Sequence, residues 1–226
     1  MDKIYRILKH MEIFRTVKKE TLQYIAQKGV VKNLKNDSII YLDGENINKI
    51  YLVLDGKVII SKSSKFGEEK IIYIMEKEKF INEECIDNKS TSTSLKVMKE
   101  ATLIVLCKED VLFLMENDFN FNLLIINSMS SKLRRAYRQI LNLGLKKINN
   151  RIASKIWKLG RDHGYEIEGN VHIDLDLSKS QIASMVGCTR ESVSRFLTKI
   201  ENEGIISQSN QKIRILDMKK LEKYNE

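Results

Sequence analysis

The sequence predicts an α+β chain in three parts: a closed antiparallel β-sandwich or barrel, a long helix, and a C-terminal helix-turn-helix with a wing. Three observations predict it. From Val30 to Leu106 short β-type runs recur between turn residues. From Lys108 to Leu143 apolar residues fall three and four apart. From Ser178 to Gly204 two short helical patterns are joined by a tight turn containing Gly187. A chain of 226 residues has room for two domains of roughly 100 to 150 residues each.

The elements follow in order. Asp2 to Lys28 carries helical spacing through Ile4, Ile7, Leu8 and Met11, then Leu22, Ile25 and Ala26, with a break at Phe14 to Val17. The runs VVKNL, SIIYL, KIYLVL, KVIIS, KIIYIM, TSLKVM and ATLIVL are the strands, with turns at Asn36-Asp37, Asp43-Gly44, Asp55-Gly56 and Phe66-Gly67. Asp55-Gly56 between KIYLVL and KVIIS predicts a hairpin. In the long helix, Ile126, Met129, Leu133, Ala136, Ile140 and Leu143 make about two and a half heptads, a candidate dimer seam. Packing of that row on its own barrel is the alternative. The domain boundary falls near Asn142 to Leu145, dividing the chain into 1–108, 109–144 and 145–226. Lys146 to His163 is a further amphipathic helix. VHIDLDL alternates as a small strand, with Val171, Ile173, Leu175 and Leu177 inward. IISQSNQKIRIL turns around Ser209-Asn210 to form the wing, and Asp217 to Glu226 is a short terminal helix.

The helix-turn-helix carries the chemistry. Ser178 with Gln181 three residues on is a capping box, and Gly187 stops the first helix. Thr189 caps the second, whose Val193, Phe196, Leu197 and Ile200 form a core-facing stripe ending at Gly204. The opposite face presents Arg190, Glu191, Ser194, Arg195 and Thr198. Arginine pairs bidentately with guanine, glutamate accepts from cytosine N4, and serine or threonine holds phosphates. An ordinary solvated helix surface carries the same residue types, but the tight turn favours a major-groove reader.

On these residues the chain resembles the CRP/FNR transcription regulators, whose signature G-C-[ST]-R-E-[ST]-V-x-R reads here Gly187, Cys188, Thr189, Arg190, Glu191, Ser192, Val193, Ser194, Arg195. The resemblance assigns Arg190, Glu191 and Arg195 to base edges and Thr189 and Ser192 to phosphate or cap roles. Ser178, Ser194 and Lys199 complete the set expected at the DNA. It also implies a homodimer, joined through the long helix, on a palindromic operator with half-sites about one helical turn apart. RNA polymerase is a further partner the family frequently contacts, and no residue here marks that contact.

The β-region resembles the effector-binding jelly roll, or β-roll, of the same family, with DGENINKIYLVLDGKVII as the matching passage. Its ligand segment departs from the pattern. Cyclic-nucleotide binders carry Gly-Glu-[LI] and, further on, Arg-Ser. Here Asn82 stands for the glycine and Thr91 for the arginine, while Glu83 and Ser92 match. Losing the arginine removes a charge-assisted bidentate contact, so cyclic AMP is disfavoured. Glu83 could meet another ligand or be an exposed loop carboxylate. By resemblance Ala136 and Tyr137 occupy the effector-facing positions of the long helix. The expected function is a non-enzymatic DNA-binding regulator controlled by an effector other than cyclic AMP; the alternative is a constitutive regulator whose roll binds no ligand.

Composition bounds the rest. The net charge of +9 is concentrated: Phe119 to Arg161 has no acidic residue and ten basic ones, which suits phosphate attraction as well as a solvated helix surface. Cys85, Cys107 and Cys188 are widely spaced and odd in number, as expected of reduced, buried thiols. They cannot make a four-thiolate iron-sulfur site, and His10, His163 and His172 lack metal-ligand spacing, so no metal or cofactor is expected. Without a membrane-length apolar run or a signal-peptide cleavage pattern, the expected location is the cytoplasm, with no membrane partner.

Overall fold

The computed structural model describes residues 2–224. Contacts divide the chain into two compact units, separated between Arg135 and Ala136.

The first unit opens with helices α1 (Asp2–Lys9) and α2 (Lys19–Lys28), with a 3-10 turn at Glu12–Phe14 between them. Strands β1 (Val30–Leu34), β2 (Ile39–Tyr41), β3 (Lys49–Ser63), β4 (Glu69–Met75), β5 (Phe80–Ile81) and β6 (Ser94–Cys107) follow. They form one antiparallel sheet in the order β1-β6-β3-β4, with β2 added on β6 and β5 on β3. Two strands dominate it. β3 and β6 are buried on both faces, because successive side chains point to opposite sides. Ile50, Leu52, Ile104 and Leu106 face the helices and join Leu8, Ile25, Val111 and Phe121. Tyr51, Val53, Val58, Leu103 and Val105 face into the roll beside Tyr41 and Leu95.

Asp55-Gly56 does not make the expected hairpin. KIYLVL and KVIIS are one fifteen-residue strand, β3, which stays paired with β6 while its register shifts between Val53 and Val58. Gly56 sits at the bend with φ +83°, and a Cβ there would lie 2.0 Å from the Glu100 carbonyl oxygen. The Asp-Gly signal is therefore a bulge that turns a corner within a continuous ladder. TSLKVM and ATLIVL are likewise one strand, β6, and not two.

The helical stretch after the sheet also splits, into α3 (Lys108–Asn117) and α4 (Phe119–Leu145). Asp118 makes the break. Its buried carboxylate accepts from the N–H groups of Asn120 and Phe121 in the first turn of α4, and from the Lys18 N–H and Thr21 hydroxyl at the start of α2. α4 then continues without interruption past Ala136.

The second unit contains α5 (Ile148–His163), β7 (Gly164–Ile167), β8 (Asn170–Ile173), α6 (Lys179–Val186), α7 (Arg190–Asn202), β9 (Ile206–Ser209), β10 (Lys212–Ile215) and α8 (Met218–Lys223). Its four-stranded sheet runs β7-β8-β10-β9. Strand β7 is not visible in the alternation pattern, and β8 ends at Ile173 although Leu175 and Leu177 remain buried beyond it. The wing turn is Asn210-Gln211, one residue later than expected; both have positive φ, as a two-residue hairpin between Ser209 and Lys212 requires. The terminal helix is capped by Asp217, and the last two residues of the expected span lie outside the described ones.

Candidate nucleic-acid interface and roll site

α6 and α7 are placed by local chemistry. The Ser178 hydroxyl accepts from the Gln181 N–H at 3.1 Å and the Gln181 side chain accepts from the Ser178 N–H at 2.9 Å, closing the capping box. Gly187 ends α6 at φ +76°, a left-handed conformation that suits glycine. Two residues on, the Thr189 hydroxyl accepts from the Ser192 N–H at 3.2 Å and starts α7. Val193, Phe196, Leu197 and Ile200 are all buried, which fixes the rotation of the helix.

Arg190, Glu191, Arg195 and Thr198 are consequently exposed. The Glu191 carboxyl is held below its usual range by its own backbone N–H and the Thr189 hydroxyl, with Arg190 and Arg195 adding to the effect. The exposed face thus offers an ionised acceptor and two guanidinium donors, a set that can pair with guanine and cytosine edges. Ser194 is half-buried, and the Lys179 Nζ donates to its hydroxyl at 3.0 Å. Lys179 is not among the expected DNA residues; it is the first residue of α6, directly after the Ser178 cap. Ser192 and Thr189 hydrogen-bond each other at 3.0 Å. Lys199 is turned toward the C-terminal helix, 3.8 Å from Glu203 and over the Tyr224 ring.

The wing is fixed to this unit from two sides. The Leu177 N–H donates to the Gln211 carbonyl at 2.9 Å, and Glu201 of α7 accepts from both the backbone and side-chain amides of Gln208. Between α7 and the wing lies a cleft of about 470 Å³ lined by Ser178, Lys179, Arg190, Thr198, Glu201 and Gln211.

In the roll, the structure gathers Asn82, Glu83, Thr91 and Ser92 near the segment after β5, and every one has protein partners. Glu83 is not an exposed loop carboxylate: it is 1% exposed. Ser128 of α4 donates to one of its oxygens at 2.5 Å and Lys132 forms an ion pair with the other. The Asn82 amide donates to the carbonyls of Ile47 and Lys49, leaving its buried Oδ1 without a partner. The Thr91 hydroxyl donates to the Leu42 carbonyl at 2.9 Å, and Ser92 donates through hydroxyl and N–H to Glu84. Tyr137 is exposed and Ala136 half-buried, and both lie beyond the first unit.

Along α4, Ile126, Met129, Leu133, Ile140 and Leu143 are all exposed in the single chain, an apolar row without cover from the sheet. The expectation of three buried thiols fails at two positions. Cys85 is buried, and burial pushes its thiol up to about 11, but Cys107 is exposed and Cys188 half-buried. Among the described residues no cluster of three or more His, Cys, Asp or Glu side chains could hold a metal, and no helix is long and apolar enough to cross a membrane.

A jelly-roll unit followed by a winged helix-turn-helix defines a class of two-part regulators, and comparison with known proteins agrees. Residues 31–118 match the family described as cyclic nucleotide-binding domain, and residues 150–224 match the Crp-like helix-turn-helix domain. The chain belongs to the CRP/FNR family of transcriptional regulators. It is 21% identical over 216 residues to the CRP-like cAMP-activated global transcriptional regulator of Mycobacterium tuberculosis, covering 95% of this chain and 96% of the relative. With the global nitrogen regulator of Synechocystis sp. it shares 24% over 189 residues, 82% of this chain and 84% of the relative. The structure of FixK2 from Bradyrhizobium japonicum superposes with a TM-score of 0.78 at 20% identity, covering 88% of this chain and 98% of that one.

Proposed function

We propose that the protein is a homodimeric, sequence-specific DNA-binding regulator of transcription, acting in the cytoplasm on a palindromic operator and without catalytic activity of its own. Residues 1–108 serve as the sensor roll, 109–144 as the dimer helix and 145–226 as the DNA reader, with RNA polymerase as a further partner. The observation that carries this reading is the exposed row of Arg190, Glu191 and Arg195 on a helix whose other face is wholly buried. Ala136 and Tyr137 are the positions through which α4 would meet an effector. DNA affinity is controlled by a small molecule other than cyclic AMP, because Thr91 offers no cation and its hydroxyl is engaged.

A second reading, a regulator whose roll takes no small molecule, is favoured by one specific observation: Glu83 already has its counter-ion, Lys132, within the chain. A thermal-shift screen of the purified protein against cyclic nucleotides and small metabolites, each hit repeated in an operator-binding assay, tests both. A non-nucleotide hit that raises melting temperature and operator affinity together supports the first reading. Operator binding with no hit supports the second. Cyclic AMP raising both contradicts the two alike.

A further inference from the structure

Glu83 is among the most deeply buried charged side chains described, and its partners come from 45 and 49 residues away on a single turn of α4. Ser128 and Lys132 lie four residues apart and so share one face of that helix. The Lys132 ammonium also donates to the Phe80 carbonyl at 2.9 Å, and the Tyr73 hydroxyl donates to the Lys132 carbonyl at 2.9 Å. β4, β5 and the segment after β5 thus all grip the same turn of α4. That turn also carries Met129 and Leu133 of the exposed apolar row.

A carboxylate at this depth is costly unless a cation and further hydrogen bonds satisfy it. In this chain the cation is internal. Lys132 reaches Glu83 on a flexible four-carbon stem and remains partly exposed. The neighbouring Asn82 leaves an unpaired acceptor, its Oδ1. A donor therefore suits this corner of the roll better than an anion.

We propose that Lys132 is a built-in ligand of the β-roll: its ammonium satisfies Glu83 and thereby positions α4 for operator binding, doing from within the chain what a bound effector would otherwise do. This rests on the second reading of function above and assigns its mechanism. Lys132 and Glu83 are positioning residues, since neither lies on the DNA-reading helix.

The test uses the full chain and chemical rescue. Lys132→Ala removes three carbons and the ammonium, the size of propylammonium. Lys132→Ala and Glu83→Gln are each expected to weaken operator binding tenfold or more. Propylammonium chloride restores affinity to Lys132→Ala and not to Glu83→Gln, while tetramethylammonium chloride at equal ionic strength restores neither. Folded variants that bind the operator as tightly as the parent overturn the proposal, as does a loss that propylammonium leaves unchanged. If Lys132→Ala fails to fold, Lys132→Arg and Lys132→Met replace it: arginine keeps affinity and methionine loses it, and equal affinity of the two overturns the proposal. Failure of the DNA-binding reading itself is distinct, because the parent protein then shows no selective binding at all.

Discussion

Arg195 stands on the outward face of α7, one turn from Glu191 and one turn before Lys199, and its position is set by four buried side chains behind it. Replacing Arg195 or Arg190 by alanine is expected to weaken operator binding by about 1–3 kcal/mol and relax preference at one symmetric pair of bases. Competition binding across single-base operator variants measures this; a uniform loss at every base would reassign the residue to phosphate. Asp118 is the structural counterpart. Burial works against its charge, but the Lys18 N–H, the Thr21 hydroxyl and the first N–H groups of α4 outweigh it and hold the carboxyl below its usual range. A folded value below the unfolded one means its contribution is complete above the ordinary aspartate range near pH 4 and disappears as pH falls through the folded value. Asp118→Ala should cost about 3 kcal/mol at neutral pH. In denaturant titrations the gap to the parent protein should close progressively below about pH 4.

At the scale of elements, α4 carries two faces of different character. One is tied to the roll by Ser128 and Lys132 and the other exposes Leu133 at 52% and Ile140 at 67%. Leu133→Asp or Ile140→Asp puts a charge where apolar surface needs a partner, without disturbing the unit's own core. Sedimentation should show monomer in place of dimer, with operator binding lost and the melting of the roll little changed. Legibility in the sequence follows the range of the interaction. The helix-turn-helix was readable because Ser178, Gln181, Gly187 and Thr189 act within a few residues of themselves. Asp55-Gly56 misled because whether it makes a hairpin or a bulge depends on Glu100 and Ala101 in β6, which close against it. The Asp118 break was hidden for a similar reason: apolar spacing runs on through it, and its partners Lys18 and Thr21 are about a hundred residues distant. The pairing of Glu83 with Lys132 was equally invisible, since the segment after β5 gives no sign of what α4 will bring to it.

For the whole molecule, the proposed function links operator affinity to the arrangement of α4. Anything that holds α4 in the arrangement suited to DNA raises operator affinity, and couplings of this kind amount to about 1–3 kcal/mol. In the proposed function the exposed Arg-Glu-Arg row gives selectivity, the basic residues from Arg134 to Arg161 add attraction to phosphate, and a dimer along α4 doubles both. These parts make a single prediction about sequence. The most direct measurement is selection of random duplex DNA by the purified protein, repeated with Arg195→Ala. An enriched inverted repeat with half-sites about one helical turn apart is expected, degenerating at one symmetric base pair in the variant. Enrichment of no sequence, or of one without two-fold symmetry, would contradict the proposed function.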